Sequence, residues 1–83
     1  MLTDDEFRAW VERSRTRLVG TAVLLLGDRG LAEDAAQETL VAVYVHRRRI
    51  RVLAAADSYA YTTLWRLTRR RRFRPDQIGR AHV

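Results

Sequence analysis

Apolar residues recur along the chain three and four positions apart, the period of a helix that turns one face to a core. Phe7, Trp10, Val11, Ser14, Leu18, Thr21, Ala22 and Leu25 follow this rhythm and predict a first helix ending near Leu26. Its start is marked by Thr3-Asp4-Asp5-Glu6, a capping box in which the threonine hydroxyl accepts from the Glu6 amide and the Glu6 carboxylate reaches back. Gly27-Asp28-Arg29-Gly30 stops that helix and turns the chain. Asp28 is placed to cap a second helix from about Arg29 to Arg48, with Leu31, Ala35, Leu40 and Val43 toward the core. A connection this short makes the two helices antiparallel neighbours.

The segment Ile50 to Ala56 is apolar, lacks Gly and Pro, and reads either as a helical extension or as an ordered loop. Asp57 or Ser58 is placed to cap a third helix. That helix carries Ala60, Leu64 and Leu67 toward the core and Tyr61, Trp65, Thr68 and Arg72 on an adjacent face, and Pro75 ends it. The pattern predicts an all-α three-helix bundle filling one domain, residues 1–76. A chain of 83 residues buries only ~60% of its unfolded surface, so its stability is expected to be marginal without a partner or a further domain.

Charge divides the molecule. All 16 basic residues are arginine, against 10 acids, for a net charge of +6. Up to His46 there are five arginines and eight acids; beyond it there are 11 arginines and two acids. Basicity is thus a property of the C-terminal half, the electrostatic footprint expected of a surface for phosphate. In the second helix, ~100° per residue aligns Asp34, Gln37, Glu38 and Val41 on one narrow stripe. Two carboxylates and an amide there form either an ordinary solvated face or a docking surface for a basic partner. Acids near a helix N-terminus also favour its dipole.

Other chemistry is poorly supplied. There is no cysteine, which excludes disulfides and thiolate metal sites, and His46 and His82 form no ligand set. No nucleophile–base pair or phosphate-cradling glycine loop occurs, so a binding protein without cofactor or metal is expected, not an enzyme. The N-terminus opens with acids and the apolar run Val23 to Leu26 is too short to span a bilayer, so a soluble cytoplasmic protein with no membrane partner is the expectation.

The run Leu24-Leu25-Leu26-Gly27-Asp28-Arg29, the sequences Leu31-Ala32-Glu33-Asp34 and Gln37-Glu38-Thr39-Leu40, Tyr44, Arg48-Arg49-Ile50, and Tyr59 through Thr63-Leu64 to the run from Arg69 carry a resemblance. Together they resemble region 2 of a bacterial sigma factor of the sigma-70 family, particularly its extracytoplasmic-function group, over residues 4 to 75. The resemblance implies core RNA polymerase, through its β′ clamp helices, and promoter DNA as partners, and admits an anti-sigma factor as another. It puts Asp34, Gln37, Glu38 and Val41 on the polymerase-binding face, where carboxylates pair with arginines of a partner coiled coil. It also implies that the connection before the third helix receives an unstacked base of the minus-ten element, while the last helix holds the upstream part.

Strand opening costs stacking energy, which aromatic and cationic contacts to the separated strand recover. The residues placed for this are Arg48, Arg49, Arg51, Tyr61, Trp65 and Arg66, with Tyr59 either among them or in the core. Arg69, Arg70, Arg71, Arg72 and Arg74 serve as phosphate contacts, although arginines in a last helical turn also favour the dipole. A small helical DNA-binding regulator acting without polymerase is the alternative reading. Two positions depart from the family pattern: Arg47 stands where a tryptophan is common, and Val52-Leu53-Ala54-Ala55-Ala56 is longer than the usual link.

At the C-terminus, Ile78-Gly79-Arg80-Ala81-His82-Val83 is encoded in one reading by ATC GGA AGA GCA CAC GTC, which resembles a sequencing-library adapter. Residues 77–83 are thus expected to be a disordered, non-native tail, the natural chain breaking off near Asp76. A natural disordered terminus is the other reading.

Overall fold

The computed structural model describes residues 2–72. Helix α1 spans Asp4–Leu26, α2 spans Arg29–Val45 and α3 spans Leu53–Arg72, with a single 3₁₀ turn at Arg47–Arg49 and no strand among the described residues. The all-α three-helix bundle is therefore the architecture observed.

Both halves of the capping box form. Glu6 N–H donates to Thr3 Oγ1 at 3.1 Å, and Thr3 N–H donates to Glu6 Oε1 at 2.9 Å. The Thr3 backbone N–H, helped by its side chain, holds the Glu6 carboxyl below its ordinary value. At the far end Gly27 takes φ +69° and donates its N–H to Val23 O at 2.8 Å. A left-handed residue here closes the helix, a conformation glycine adopts without the clash of a Cβ. Asp28 then accepts from Leu31 N–H at 2.8 Å and starts α2.

Helix α2 ends at Val45, three residues short of the expected Arg48. The chain tightens into the 3₁₀ turn, with Arg49 N–H donating to His46 O and Ile50 N–H to Arg47 O. The turn brings Ile50 back onto the bundle, where it is buried and its carbonyl accepts from Leu2 N–H at 3.2 Å. Burial of one apolar side chain and its backbone thus outweighs continuation of the helix.

The open segment resolves into a non-helical link from Ile50 to Val52 followed by helix from Leu53. Consecutive alanines, the strongest helix formers, favour that early start, and Ala56 is fully buried by it. Neither Asp57 nor Ser58 caps the helix. Asp57 instead accepts from the indole N–H of Trp10 at 2.8 Å and lies 3.7 Å from Arg17.

The core runs through Trp10, Leu18 and Ala22 on α1, Ala35, Leu40 and Val43 on α2, and Ala60 and Leu64 on α3. Several expected core positions are corrected: Leu31 and Leu67, and Phe7, Val11, Thr21 and Leu25 of the α1 rhythm, are only half-buried. Ala32, Ala36 and Thr39 are buried in their stead, because small residues let α2 approach both neighbours closely. Thr68, expected on the face of Tyr61 and Trp65, is also buried, its hydroxyl donating to Trp65 O at 3.0 Å. Among the described residues no helix is long and apolar enough to cross a membrane.

Candidate protein and nucleic-acid interfaces

Helix α2 divides its surface sharply. Ala32, Ala35, Ala36, Thr39 and Val43 face inward, while Asp34, Gln37, Glu38 and Val41 are all exposed on the opposite side. Tyr44 and Val45 prolong that outer face with apolar surface, being 50% and 63% exposed. Large apolar groups thus stand in water on an otherwise charged stripe. Sequence reasoning stopped at Val41, although Val45 lies four residues on and was legible in the same spacing.

At the end of this face Arg47 donates to Tyr44 O at 2.8 Å and lays its guanidinium 3.9 Å from the Tyr44 ring centroid. Phe7 packs against the same ring at 5.6 Å and against Trp10 at 6.0 Å. Arg47 thus caps an open carbonyl at the C-terminus of α2 and covers an aromatic ring, roles suited to a planar cation. A groove of about 410 Å³ lies beside it, lined by Asp4, Phe7, Arg8, Val11, Tyr44 and Arg47.

Basic groups gather on the 3₁₀ turn and the outer side of α3. Arg48, Arg49 and Arg51 are exposed around the turn, and Arg66, Arg69 and Arg70 are exposed along α3. Between them Tyr61 and Trp65 sit one helical turn apart, 37% and 48% exposed. Ser58, Thr62 and Thr63 join Arg66 in lining a shallow hollow beside this stripe, a set of hydroxyls that sequence reasoning did not pick out. Tyr59 also lines the hollow. Its hydroxyl lies 2.8 Å from His46 Nδ1, which also contacts Ala42 O at 2.9 Å, so its polar end is taken up within the bundle.

Arg71 stands apart from the other arginines. Its side chain is 12% exposed and its Nη2 donates to Glu38 Oε1 at 2.5 Å, while Nη1 is buried without a partner among the described residues. No cation occupies the positions between Asp34 and Glu38 in sequence, yet α3 delivers one to Glu38 through the fold. The Arg72 side chain and residues 73–83, including Arg74, Pro75, His82 and the expected tail, lie outside the described residues.

Matching to known families finds the sigma-70 region 2 model over residues 6–77. Comparison with curated proteins and with solved structures gives no match. The family match covers all three helices, and with it the acidic outer face of α2 and the arginine-rich flank of α3 acquire a common setting: the chain belongs to the sigma-70 region 2 family, non-enzymatic modules that bind core RNA polymerase and promoter DNA in transcription initiation.

Proposed function

We propose that the chain is the region 2 domain of an extracytoplasmic-function sigma factor, docking the β′ clamp helices on α2 and holding the opened minus-ten element on α3. The observation that carries the polymerase half is the partition of α2, with Asp34, Gln37, Glu38 and Val41 outward and its alanines inward. A cationic coiled coil laid along that stripe meets carboxylates first and the apolar Val41, Tyr44 and Val45 next. Charge then steers encounter and apolar area retains the complex.

On the DNA side Tyr61 and Trp65 offer ring faces to unstacked bases, with Arg66, Arg69 and Arg70 along the backbone path. Arg48, Arg49 and Arg51 flank the connection where a base leaves the stack. Stacking and cation contacts offset the cost of strand opening, and phosphate contacts fix the register. The domain acts in the cytoplasm, where polymerase and promoter are, and an anti-sigma factor is its expected regulator. Residues 77–83 are assigned to translated adapter, so that the natural sequence departs from this one near Asp76; GC-rich codons in the nucleotide record at these positions would refute that.

A pull-down with core polymerase, followed by binding to a single-stranded minus-ten probe at two salt concentrations, tests the proposal. Capture by the polymerase and a probe affinity that falls with salt support it. Failure of capture, with DNA binding intact, returns the chain to a regulator that acts without polymerase.

A further inference from the structure

We propose that Arg71 serves the polymerase face, as the positioning residue that fixes the Glu38 carboxylate for its partner; the inference rests on the reading that Glu38 docks a cationic helix. Arg71 lies three residues beyond Thr68 and seven beyond Leu64, both buried, so it continues the inward stripe of α3 and not the stripe of Tyr61 and Trp65. That register explains why its side chain is 12% exposed while Arg69 and Arg70 are in solvent.

Stability does not account for an arginine at this position. Among the described residues a cation is removed from water there for a single carboxylate partner, and one of its terminal nitrogens is buried with no acceptor. Desolvating a charge and stranding a donor are both unfavourable, and packed apolar residues commonly replace such pairs without loss. A methionine would fill the same space along the inward stripe. What the arginine supplies, and methionine would not, is the bond to Glu38.

That bond acts on an exposed side chain. An unrestrained glutamate at a helix surface samples many rotamers, and each must be given up when a partner docks. Arg71, itself largely buried, holds Oε1 and leaves Oε2 to accept from an incoming cation. A carboxylate has capacity for both. Arg71 also offsets part of the Glu38 charge, which weakens long-range attraction, so the sign of its net effect separates positioning from competition.

The experiment measures core polymerase affinity and thermal stability of the full chain for Arg71→Met, Arg71→Lys, Glu38→Gln and the double variant Arg71→Met with Glu38→Gln. Positioning requires Arg71→Met to weaken capture about fivefold, the size expected for freezing one rotamer-rich side chain, with an unchanged or higher melting temperature. Arg71→Lys recovers part of the loss, and Arg71→Met has no further effect once Glu38 is Gln. The salt dependence of binding to a single-stranded minus-ten probe stays as in the parent.

Equal or tighter capture by Arg71→Met overturns the inference, as does an equal loss in the Glu38→Gln background. A salt slope reduced by about one would return Arg71 to the phosphate contacts and overturn it too. If Glu38→Gln alone leaves capture unchanged, the docking role of Glu38 fails, and this inference fails with it.

Discussion

The indole N–H of Trp10 donates to Oδ1 of Asp57 at 2.8 Å, joining the second turns of α1 and α3 across 47 positions of sequence. Trp10 is 1% exposed, so the bond gives a buried donor its acceptor. Asp57→Ala is expected to cost ~1–3 kcal/mol, the penalty of a stranded buried donor, read by chemical denaturation. Asp57→Asn keeps an oxygen for Trp10 and gives up only the charge facing Arg17. Both members of that pair are about half exposed, so the further loss is expected below ~0.5 kcal/mol.

The two glycines of α1 and its cap respond in opposite directions to alanine. A Cβ at Gly20 meets nothing within 4 Å, and Gly20→Ala is expected to stabilise by ~0.5–1 kcal/mol through helix propensity alone. Gly27 holds φ +69°, and Gly27→Ala is expected to destabilise by about 1 kcal/mol. Melting temperatures of the two variants should therefore move apart.

The capping box gives stability an acid limit. Because the Thr3 backbone N–H holds the Glu6 carboxyl below its ordinary 4.5, its contribution is complete above that pH and is lost as pH falls through the lower folded value. Glu6→Gln should flatten the stability profile in that acid window while changing its shape little near neutrality. Thr3→Ala, which removes the acceptor for the Glu6 amide, should cost ~1 kcal/mol at neutral pH.

Charge reversal of Asp34 and Glu38 to Lys together should abolish capture by core polymerase, and because Lys at 38 strands the largely buried Arg71 guanidinium it should also lower the melting temperature. Asp34 makes no bond across the fold among the described residues. Glu38 gives up one pair with Arg71, whose cost the melting curve of the single Glu38→Lys variant isolates. Retained capture would remove α2 from the polymerase interface.

On the other flank, Trp65→Ala should weaken binding to a single-stranded minus-ten probe by ~1–3 kcal/mol, the worth of one stacked base. Neutralising Arg69 or Arg70 should lower the salt slope by about one each, without altering sequence preference. Fluorescence titration at several salt concentrations measures both.

Local chemistry written in consecutive residues was legible from the sequence. Thr3 with Glu6, Gly27 and Asp28 set three helix ends because each acts through backbone groups three or four residues away, and sequence carries that spacing directly. The outward stripe of α2 was legible for the same reason. Less was legible where an apolar run had two local solutions, as at Ile50 to Ala56, or where alanine and threonine proved to be core. Periodicity ranks residues by hydropathy, whereas the space between two closely packed helices selects them by size.

By itself, then, the sequence determined three amphipathic helices, the junction between the first two, and the separation of acid from arginine along the chain, all products of short-range spacing. The tertiary structure alone decided that Ile50 closes the bundle, that Asp57 serves Trp10 instead of a helix end, and that Arg71 turns from its neighbours to Glu38. Each of those pairings joins residues far apart in sequence, and their choice depends on how three helices dock, because only docking establishes which buried donor or charge comes within reach of which acceptor.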